Sequence, residues 1–426
     1  MKIAMVSAPT ALSSARERTA VPESDRLAAA LAERGHEVVV YTRRVDPEAP
    51  DRERLRPGVV VHQVTAGPVR PIAEQELAPW LGEFGRELAA LWRDQRPDVV
   101  HAHSWTSGLA ASAGRQQLRE SALIGGGAAE APMPVVLTFG AFGASQRRRP
   151  GAVDPGLANR IRLEVALARS VTAVIARSDD EVEELARMGV PRDHIRLVPS
   201  AVDVERYSPN GRSARRSDAP RLVAVGEAVP SSGFETVIAA LRGLPAVELV
   251  ILADSAGDGA RAEEIERLRI GAERLEVADR VTFVDEDLGS VDIDARPAML
   301  RSADAVICVP WHGPVDAGSV LEAMACGVPV VATAVGAVSD VVVDGVTGVQ
   351  VAPRRPDQLA TALRILLGDP VRCLGFGVAG ADRARSRYDW NRVAVDTGRV
   401  YESVVPTVLN EPASVDVGDD LIEATD

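Results

Sequence analysis

Short runs of apolar, often β-branched residues alternate along the chain with segments whose apolar residues recur every three to four positions. A strand-like run over 2–7 precedes a helical pattern over 23–34, and a second strand-like run follows over 37–42. This order continues through most of the sequence. It predicts an α/β protein in which parallel sheets are covered by helices on both faces.

The candidate strands fall into two series separated by a polar segment. That segment, 202–220, is rich in Pro, Ser, Arg and Asp and lacks apolar periodicity, so we interpret it as a linker. The 426 residues also exceed the size at which a single core stops growing. We therefore expect an N-terminal domain over 1–205 and a C-terminal domain over 221–388. The remaining predicted strands are 59–64, 98–101, 135–138, 173–176, 195–199, 221–225, 248–253, 280–284, 305–309, 329–332 and 348–351.

Two segments are predicted to be irregular. The Gly- and Ala-rich stretch 124–132 cannot present an apolar face for packing, so we expect a flexible surface loop. The end of the chain, 410–426, is acidic and lacks aromatic residues, which predicts a disordered tail.

Charge and composition disfavour several classes of function. The formal net charge of −13 argues against nucleic-acid binding, because phosphate contacts need a basic face. Cys308, Cys326 and Cys373 contain no close pair, so they predict reduced thiols and not a disulfide framework. No apolar run reaches about 18 residues and no cleavable signal is recognisable, so we expect a cytoplasmic protein without a transmembrane segment.

Two common nucleotide-binding motifs are absent from the sequence. Residues 8–21, which follow the first strand, contain no glycine, and this disfavours a nicotinamide or flavin site. The Gly-x-x-x-x-Gly-Lys-Ser/Thr loop occurs nowhere, which excludes an ATPase of the P-loop class.

The most informative segment runs from Pro310 to Thr333. A buried strand is predicted to end near Pro310, a Gly-containing loop follows, and a helix begins at about Ser319. This geometry directs backbone N–H groups toward an anion at the carboxyl ends of the strands. Ser319 and Glu322 also fit a capping box, in which both side chains satisfy backbone donors at the start of the helix. Both interpretations stay open.

This segment resembles the donor-sugar signature of the retaining glycosyltransferases of family 4. The resemblance extends from Met1 to about Val404. It includes Leu-Ala-Glu-Arg-Gly-His-Glu-Val at 31–38, Asp-Val-Val-His-Ala-His at 98–103, Gly-Val-Pro at 189–191, Val-Pro and Val-Asp within 198–203, and Asp-Gly-Val-Thr-Gly at 344–348.

The resemblance implies a GT-B fold, in which two Rossmann-like domains face a cleft. The C-terminal domain would bind a nucleoside-diphosphate sugar, the N-terminal domain would bind a small-molecule acceptor, and a final helix at about 389–404 would cross back to the first domain. No metal and no other cofactor is implied. The implied donor residues are Glu322 for the ribose, backbone groups of Gly318, Ser319 and Val320 for phosphate, and Gly226 with Ser232 as weaker contacts; the implied acceptor-side or cleft residues are His103, Phe139 and Gly140.

The loop expected to hold the diphosphate departs from the family pattern. Glu227 and Ser232 stand where the family has Arg and Lys, so both cations that grip the diphosphate are missing. Charge-assisted hydrogen bonds contribute about 1.5–3 kcal/mol each, so the two losses would cost roughly 3–6 kcal/mol of binding.

Other functional positions depart as well. Gly140 replaces an imidazole beside the sugar, and Gly313 stands near the place of an upstream carboxylate for which Asp316 could substitute only in a reshaped loop. Residues 9–21 and the Ser200-Ala201 pair replace two glycine-containing sequences.

Two further groups of residues have open interpretations. His101 and His103 point to one face at the end of a strand, which predicts a polar cleft wall, partial burial, or a metal site that lacks an evident third ligand. The run Arg147–Arg149 is expected to be solvated, with contact to an anionic acceptor as the alternative.

Two hypotheses of different class follow. The first is a retaining glycosyltransferase that transfers a sugar from a nucleoside-diphosphate sugar through altered contacts. The alternative is a degenerate, non-catalytic member that acts as a binding or regulatory partner, and the joint losses at 140, 227, 232 and 313 motivate it. An epimerase or a phosphorylase has little support, because no obvious motif offers a lysine for a phosphorylase cofactor.

Overall fold

The computed structural model describes residues 1–7, 23–72, 74–124, 133–140, 142–144, 157–254, 260–284, 294–313 and 315–406. Its strands form two separate sheets, each covered by helices. The α/β class and the two Rossmann-like domains are confirmed. The predictions for 9–21, 125–132, 147–149 and 410–426 concern segments outside the described residues.

The N-terminal sheet is parallel apart from one edge. It contains β1 (Lys2–Ser7), β2 (Glu37–Arg43), β3 (Arg52–Arg56), β4 (Val59–Val64), β5 (Val99–His103), β6 (Val135–Thr138), β7 (Ala173–Ala176) and β8 (Ile195–Leu197). Their order is β3-β4-β2-β1-β5-β6-β7-β8, and only the β3–β4 pairing is antiparallel. The helices on this part are α1 (Glu23–Glu33), α2 (Leu81–Asp94), α3 (Trp105–Ile124), α4 (Leu157–Ser170) and α5 (Asp179–Arg187).

The C-terminal sheet is parallel throughout its described strands. It contains β9 (Arg221–Glu227), β10 (Glu248–Asp254), β11 (Val281–Phe283), β12 (Ala305–Cys308), β13 (Val330–Thr333) and β14 (Gly348–Val351), in the order β11-β10-β9-β12-β13-β14. The remaining helices are α6 (Phe234–Ala240), α7 (Ala260–Arg274), α8 (Ala295–Arg301), α9 (Gly318–Ala325), α10 (Ala337–Val341), α11 (Pro356–Leu367), α12 (Pro370–Arg387) and α13 (Trp390–Val404).

The central strands appear in the sequence as continuous apolar runs because both faces of each sheet are covered. Every residue of β7, β12 and β13 is buried. Strands buried on both faces lose the alternation of apolar and polar residues that marks a half-exposed strand. The pattern-based predictions therefore place these strands within one or two residues of their observed bounds.

The edge strand β3 was missed by the sequence prediction. Its five residues, Arg-Glu-Arg-Leu-Arg, are all exposed, and it pairs with β4 alone. An exposed edge strand buries no apolar face, so neither a hydrophobic run nor alternation marks it. Charged side chains on such an edge also discourage pairing with other chains.

The last helix, α13, packs on the N-terminal domain. Val393, Ala394, Val400 and Tyr401 join the core that contains Ile3 and other residues of β1, α1 and β2. Tyr401 is fully buried, and its hydroxyl lies 2.7 Å from Nδ1 of His101 in β5. The chain therefore crosses between the domains twice.

The two crossings lie side by side. The backbone N–H of Val202 donates to the carbonyl of Tyr388 over 2.7 Å, and Val202 forms a β-bridge with Asp389. Within the segment that the sequence predicted to be a linker, Val202 and Tyr207 are buried in the core of the C-terminal domain. This segment is thus anchored at its start, although it contains no helix and no extended strand.

Gly233, which precedes α6, tolerates no side chain. Its φ is +80°, and a Cβ placed there would lie 1.9 Å from the carbonyl oxygen of Val309. Both the backbone conformation and the close approach require glycine. The loop between β9 and α6 is therefore tightly packed against the end of β12.

We expect Gly233→Ala to lower the free energy of unfolding by more than about 1 kcal/mol, because the methyl group must displace backbone atoms. Urea unfolding followed by circular dichroism measures the change. Gly271→Ala is the matched control, since Gly271 lies within α7 with no atom near the added methyl group, and we expect it to be neutral or stabilising by up to about 1 kcal/mol. Equal losses for the two variants would contradict this account.

Candidate functional site

The carboxyl ends of the two sheets face each other across a cleft. Arg177, directly after β7, reaches Asp316 in the loop before α9. Ser200 donates to the same carboxylate over 3.3 Å, and the backbone N–H of Asp179 donates to Asp340 over 3.0 Å. Ligands of open parallel sheets bind at this end of the strands. The cleft between the domains is therefore the candidate site.

On the C-terminal side of the cleft, Arg296 of α8 joins three functional groups. Its Nε donates to Glu322 over 2.6 Å, and its Nη1 donates to Asp254 over 3.0 Å. Its Nη2 donates to the hydroxyl of Ser319 over 2.9 Å, and that hydroxyl donates to Asp254 over 3.2 Å. The network fixes the Glu322 carboxylate on α9.

Tyr207 also belongs to this network, through its contact with Glu322. It is 4% exposed and hydrogen-bonded to Glu322. Burial is the main reason that the pKa of Tyr207 is raised, and the nearby Glu322 carboxylate raises it further. Burial alone would lower the pKa of Arg296, but Asp254 and Glu322 together raise it well above its ordinary value. Arg296 therefore stays charged, and Glu322 has a permanent cation beside it.

The capping-box interpretation of Ser319 and Glu322 is wrong. Helix α9 begins at Gly318, the N-cap residue Ala317 makes no side-chain cap bond, and the N–H of Gly318 donates to Asp316 and not to Ser319 or Glu322. Ser319 and Glu322 instead direct their polar atoms to Arg296 and Asp254. Both side chains therefore belong to the network beside the cleft. The sequence pattern alone could not distinguish this role from helix capping.

The other predicted donor residues surround the same end of the sheet. Gly226 lies at the end of β9, and the Ser232 side chain lies 3.4 Å from the position that a Gly226 Cβ would occupy. Gly318 donates its N–H to Asp316 over 2.6 Å, and Val320 is fully buried in the first turn of α9. Val320 therefore exposes neither its side chain nor its backbone to the cleft, in contrast to the predicted phosphate contact.

The predicted acceptor-side residues divide between core and cleft. His101 is 1% exposed and is held by Tyr401 and, over 2.8 Å, by the hydroxyl of Thr138. The ring of His103 packs against that of His101 at a tilt of 39°, with ring centroids 4.0 Å apart, and His103 is only partly exposed. Phe139 is 1% exposed and packs against Phe142, so its ring does not face the cleft.

Gly140 borders an open part of the cleft. Among the described residues, no atom lies within 4 Å of the position that its Cβ would occupy. Its carbonyl accepts a hydrogen bond from Nη2 of Arg177 over 2.9 Å. Nη2 also donates to Glu181 over 3.0 Å. A guanidinium therefore stands beside the position where the family resemblance led us to expect an imidazole.

The protonation of His103 is determined by burial. Burial lowers its pKa to about 4, and the charge of Arg177 contributes in the same direction. Burial also lowers the pKa of His101 well below its ordinary value, with His103 as a smaller cause. Both imidazoles are therefore neutral near pH 7. Nε2 of His103 is buried and has no hydrogen-bond partner among the described residues.

Sequence reasoning missed four residues of the site: Asp254, Arg296, Tyr207 and Arg177. Asp254 and Arg177 each directly follow a predicted strand, so the rule that ligands bind at the carboxyl ends of strands could have identified both. Arg296 and Tyr207 carry no comparable signal, because each is a single residue that only the fold brings to the cleft.

Comparison with known proteins connects this cleft to a family. Residues 25–206 match Glycosyltransferase Family 4, and residues 219–369 match Glycosyl transferases group 1. A D-inositol 3-phosphate glycosyltransferase from Xylanimonas cellulosilytica is 32% identical over 394 residues, which cover 88% of this chain and 89% of that relative. The chain belongs to glycosyltransferase family 4.

Other relatives and solved structures agree with this assignment. D-inositol 3-phosphate glycosyltransferase 2 of Catenulispora acidiphila is 29% identical over 87% of this chain and 86% of its own length. A sucrose-phosphate synthase from Thermosynechococcus elongatus superposes with a TM-score of 0.74 at 24% identity, over 95% of this chain and 98% of its own. HepE of Anabaena, solved with UDP and glucose, has a TM-score of 0.67 at 17% identity. The match covers 95% of this chain and 100% of HepE. These structures establish the GT-B fold.

This family 4 protein is a glycosyltransferase of the nucleotide-sugar-dependent type. The non-catalytic alternative gains no support from the comparisons. In the part of the chain that the structure describes, no three His, Cys, Asp or Glu side chains are grouped to hold a metal ion. None of the described helices combines the length and apolarity needed to cross a bilayer.

We expect Arg296→Met to lower the free energy of unfolding by about 1–3 kcal/mol, because it leaves the Glu322 and Asp254 carboxylates without their shared cation. Chemical denaturation measures the change. Arg269→Met is the matched control, because Arg269 lies on the exposed face of α7 and its loss should alter stability by at most about 0.5 kcal/mol. If Arg296→Met had the same free energy of unfolding as the wild type, the proposed role of the network in holding Glu322 would be contradicted.

The neutral imidazole of His103 predicts a loss of stability in acid. Between pH 6.5 and about 4 the unfolded His103 binds a proton that the folded protein excludes. The free energy of unfolding should therefore fall as the pH drops through this range, by up to about 1.4 kcal/mol per pH unit for this group. Urea unfolding at several pH values measures the slope. His103→Asn should have a smaller slope, and an unchanged slope would exclude His103 as its source.

Proposed function

We propose that this glycosyltransferase transfers a hexosyl group from a nucleoside-diphosphate sugar to a hydroxyl group of a phosphorylated cyclitol. In this proposal the C-terminal side of the cleft binds the donor, with the nucleotide ribose on Glu322. The acceptor lies against the N-terminal side, near His103 and Gly140.

The observation that carries the donor assignment is the fixed carboxylate of Glu322. Arg296 and Tyr207 hold it, yet its side chain keeps 22% of its surface exposed. A carboxylate has about four lone-pair positions, so two protein donors leave capacity for the hydroxyl groups of a ribose. Because the side chain is already oriented, little conformational freedom is lost when those bonds form.

The acceptor assignment has separate support. The relatives described above are named D-inositol 3-phosphate glycosyltransferases and align with most of this chain. On the N-terminal side, Nε2 of His103 is buried without a hydrogen-bond partner among the described residues, and those residues leave open space beside Gly140. A neutral imidazole can donate or accept a hydrogen bond, which suits a polyhydroxylated ring.

The reaction would form a new glycosidic bond with retained anomeric configuration, as the family assignment implies. The bond between the sugar and the diphosphate breaks, and negative charge develops on the departing nucleoside diphosphate. Groups fixed near that charge lower the barrier, because they need not reorganise as the charge develops. No described side chain is positioned so that it can be assigned as a general acid or base.

Isothermal titration of the purified chain with UDP, GDP and ADP, followed by their sugar conjugates, tests the donor assignment. We expect one diphosphate to bind and Glu322→Gln to weaken it by about 10- to 150-fold, because a hydrogen bond to a charged group contributes about 1.5–3 kcal/mol. Glu263→Gln, on the exposed face of α7, is the matched control and should bind as the wild type does.

Turnover is measured with the sugar conjugate of the best diphosphate and either inositol 3-phosphate or inositol. Mass spectrometry identifies the product, and we expect the phosphorylated acceptor to be glycosylated faster. Binding without a product from either acceptor would exclude the cyclitol assignment while retaining the donor assignment. Failure of all three diphosphates and all their conjugates to bind would contradict the donor assignment itself.

A further inference from the structure

The loop between β9 and α6 presents Glu227 and Ser232 to the cleft but no cation. A diphosphate bound at this edge of the C-terminal sheet therefore needs positive charge from another element. Arg177 and Arg296 place guanidinium groups directly against the loop before α9 and the first residues of α9. Their surroundings differ in a way that decides between them.

Arg296 has few hydrogen-bonding positions to spare. All three of its nitrogens donate, to Asp254, Ser319 and Glu322. Arg296 therefore fits the role of holding Glu322 better than that of binding the diphosphate.

One nitrogen of the Arg177 guanidinium is hydrogen-bonded within the N-terminal domain, and another nitrogen faces the cleft. Nη2 is fixed by Glu181 and by the carbonyl of Gly140, at 3.0 and 2.9 Å. Nη1 points across the cleft to Oδ2 of Asp316, at 3.5 Å. That distance is too long for a strong charge-assisted hydrogen bond, which is typically 2.7–2.9 Å. Nη1 can therefore exchange its partner at little cost.

Asp316 is the partner that can be exchanged. Its side chain is 53% exposed, whereas that of Arg177 is 16% exposed. Its Oδ1 accepts the N–H of Gly318 over 2.6 Å, and its Oδ2 accepts the hydroxyl of Ser200 over 3.3 Å. An anionic group of the protein itself thus lies between a buried cation of the N-terminal domain and a backbone donor of the C-terminal domain. Because this carboxylate is half exposed, its ion pair contributes little stability, and it can move into solvent at a small cost in free energy.

The charge of Arg177 does not depend on Asp316 alone. Burial would lower the pKa of Arg177, but Glu181, Asp316 and Glu23 raise it in that order of importance. The guanidinium consequently remains charged when Asp316 moves away. Exchange of the carboxylate for a phosphate keeps an anion beside the guanidinium.

We propose that the Asp316 carboxylate occupies the position of a donor phosphate in the free protein, and that the diphosphate displaces it and takes Arg177 as its cation. Arg177 then selects for the diphosphate part of the donor and ties the donor to both domains. This inference rests on the proposed donor site, but it concerns which residue recognises the phosphates.

Titration of UDP, GDP and ADP, each beside its own nucleoside, tests the exchange. Removing the competing charge with Asp316→Asn should tighten binding of the diphosphate by about tenfold and leave the nucleoside unchanged. Arg177→Met should weaken the diphosphate by at least tenfold without changing the nucleoside, and Arg177→Lys should recover part of the loss. Arg269→Met, an exposed arginine of α7, is the control and should change neither ligand.

The double variant Arg177→Met with Asp316→Asn separates exchange from a general change in charge. We expect the gain from Asp316→Asn to disappear once Arg177 is absent, because the freed position no longer contains a cation. In a chain carrying Glu227→Arg and Ser232→Lys, the loss caused by Arg177→Met should shrink, since new cations would share the phosphates. Thermal melting of each variant confirms that it is folded.

The outcomes distinguish this inference from the donor assignment. If a diphosphate binds the wild type and Asp316→Asn weakens it or leaves it unchanged, the exchange is wrong and the donor site stands. An equal loss of nucleoside and diphosphate in Arg177→Met, with Arg177→Lys no better, would also overturn it by assigning Arg177 a structural role. Binding by Asp316→Asn alone would support the exchange, and no binding by any variant would overturn both proposals.

Discussion

The structure depends on the pairing of the two chain crossings between its domains. Val202 and Tyr388 are joined by a backbone hydrogen bond of 2.7 Å, and the following residues diverge into the C-terminal core on one side and into α13 on the other. A single crossing would allow the two sheets to rotate about one backbone segment. Two adjacent crossings, with α13 buried against β1 and α1, restrict that rotation and keep the carboxyl ends of the sheets opposed. The contacts across the cleft can form only while the two sheets are held in this arrangement.

Electrostatic pairing organises the cleft that results. Each of the two buried guanidinium groups is surrounded by carboxylates: Arg296 by Asp254 and Glu322, and Arg177 by Glu181 and Asp316. Burying an unpaired charge is costly, so these pairs are needed wherever the ligand is absent. The two pairs differ in strength and exposure. The Arg296 network is short and saturated and holds a side chain in place, whereas the Arg177–Asp316 contact is long and half exposed.

The sequence predicted more of the scaffold than of the site. Strands such as Val135–Thr138 and Ala173–Ala176 were predicted at their observed bounds, because burial on both faces produces an uninterrupted apolar run. The edge strand Arg52–Arg56 was not predicted, since it buries nothing. Glu322 was recognised because its segment resembles a family pattern. The capping role considered for it was wrong, because Glu322 belongs to a network with Arg296 and Asp254, which lie far away in the sequence. The family resemblance placed Phe139 at the cleft, but its ring enters the core.

By itself the sequence determined the α/β class, the division into two series of strands and the family, because these depend on local periodicity and on ordered motifs. Only the tertiary structure decided which charges meet. Arg177 and Asp316 are 139 positions apart, and Arg296 lies 42 positions from Asp254 and 26 from Glu322. An ion pair depends on distance in space, and the fold determines that distance through the packing of separate elements. The loss of cations at 227 and 232 was visible in the sequence, whereas the contact of Arg177 with Asp316 across the cleft was not.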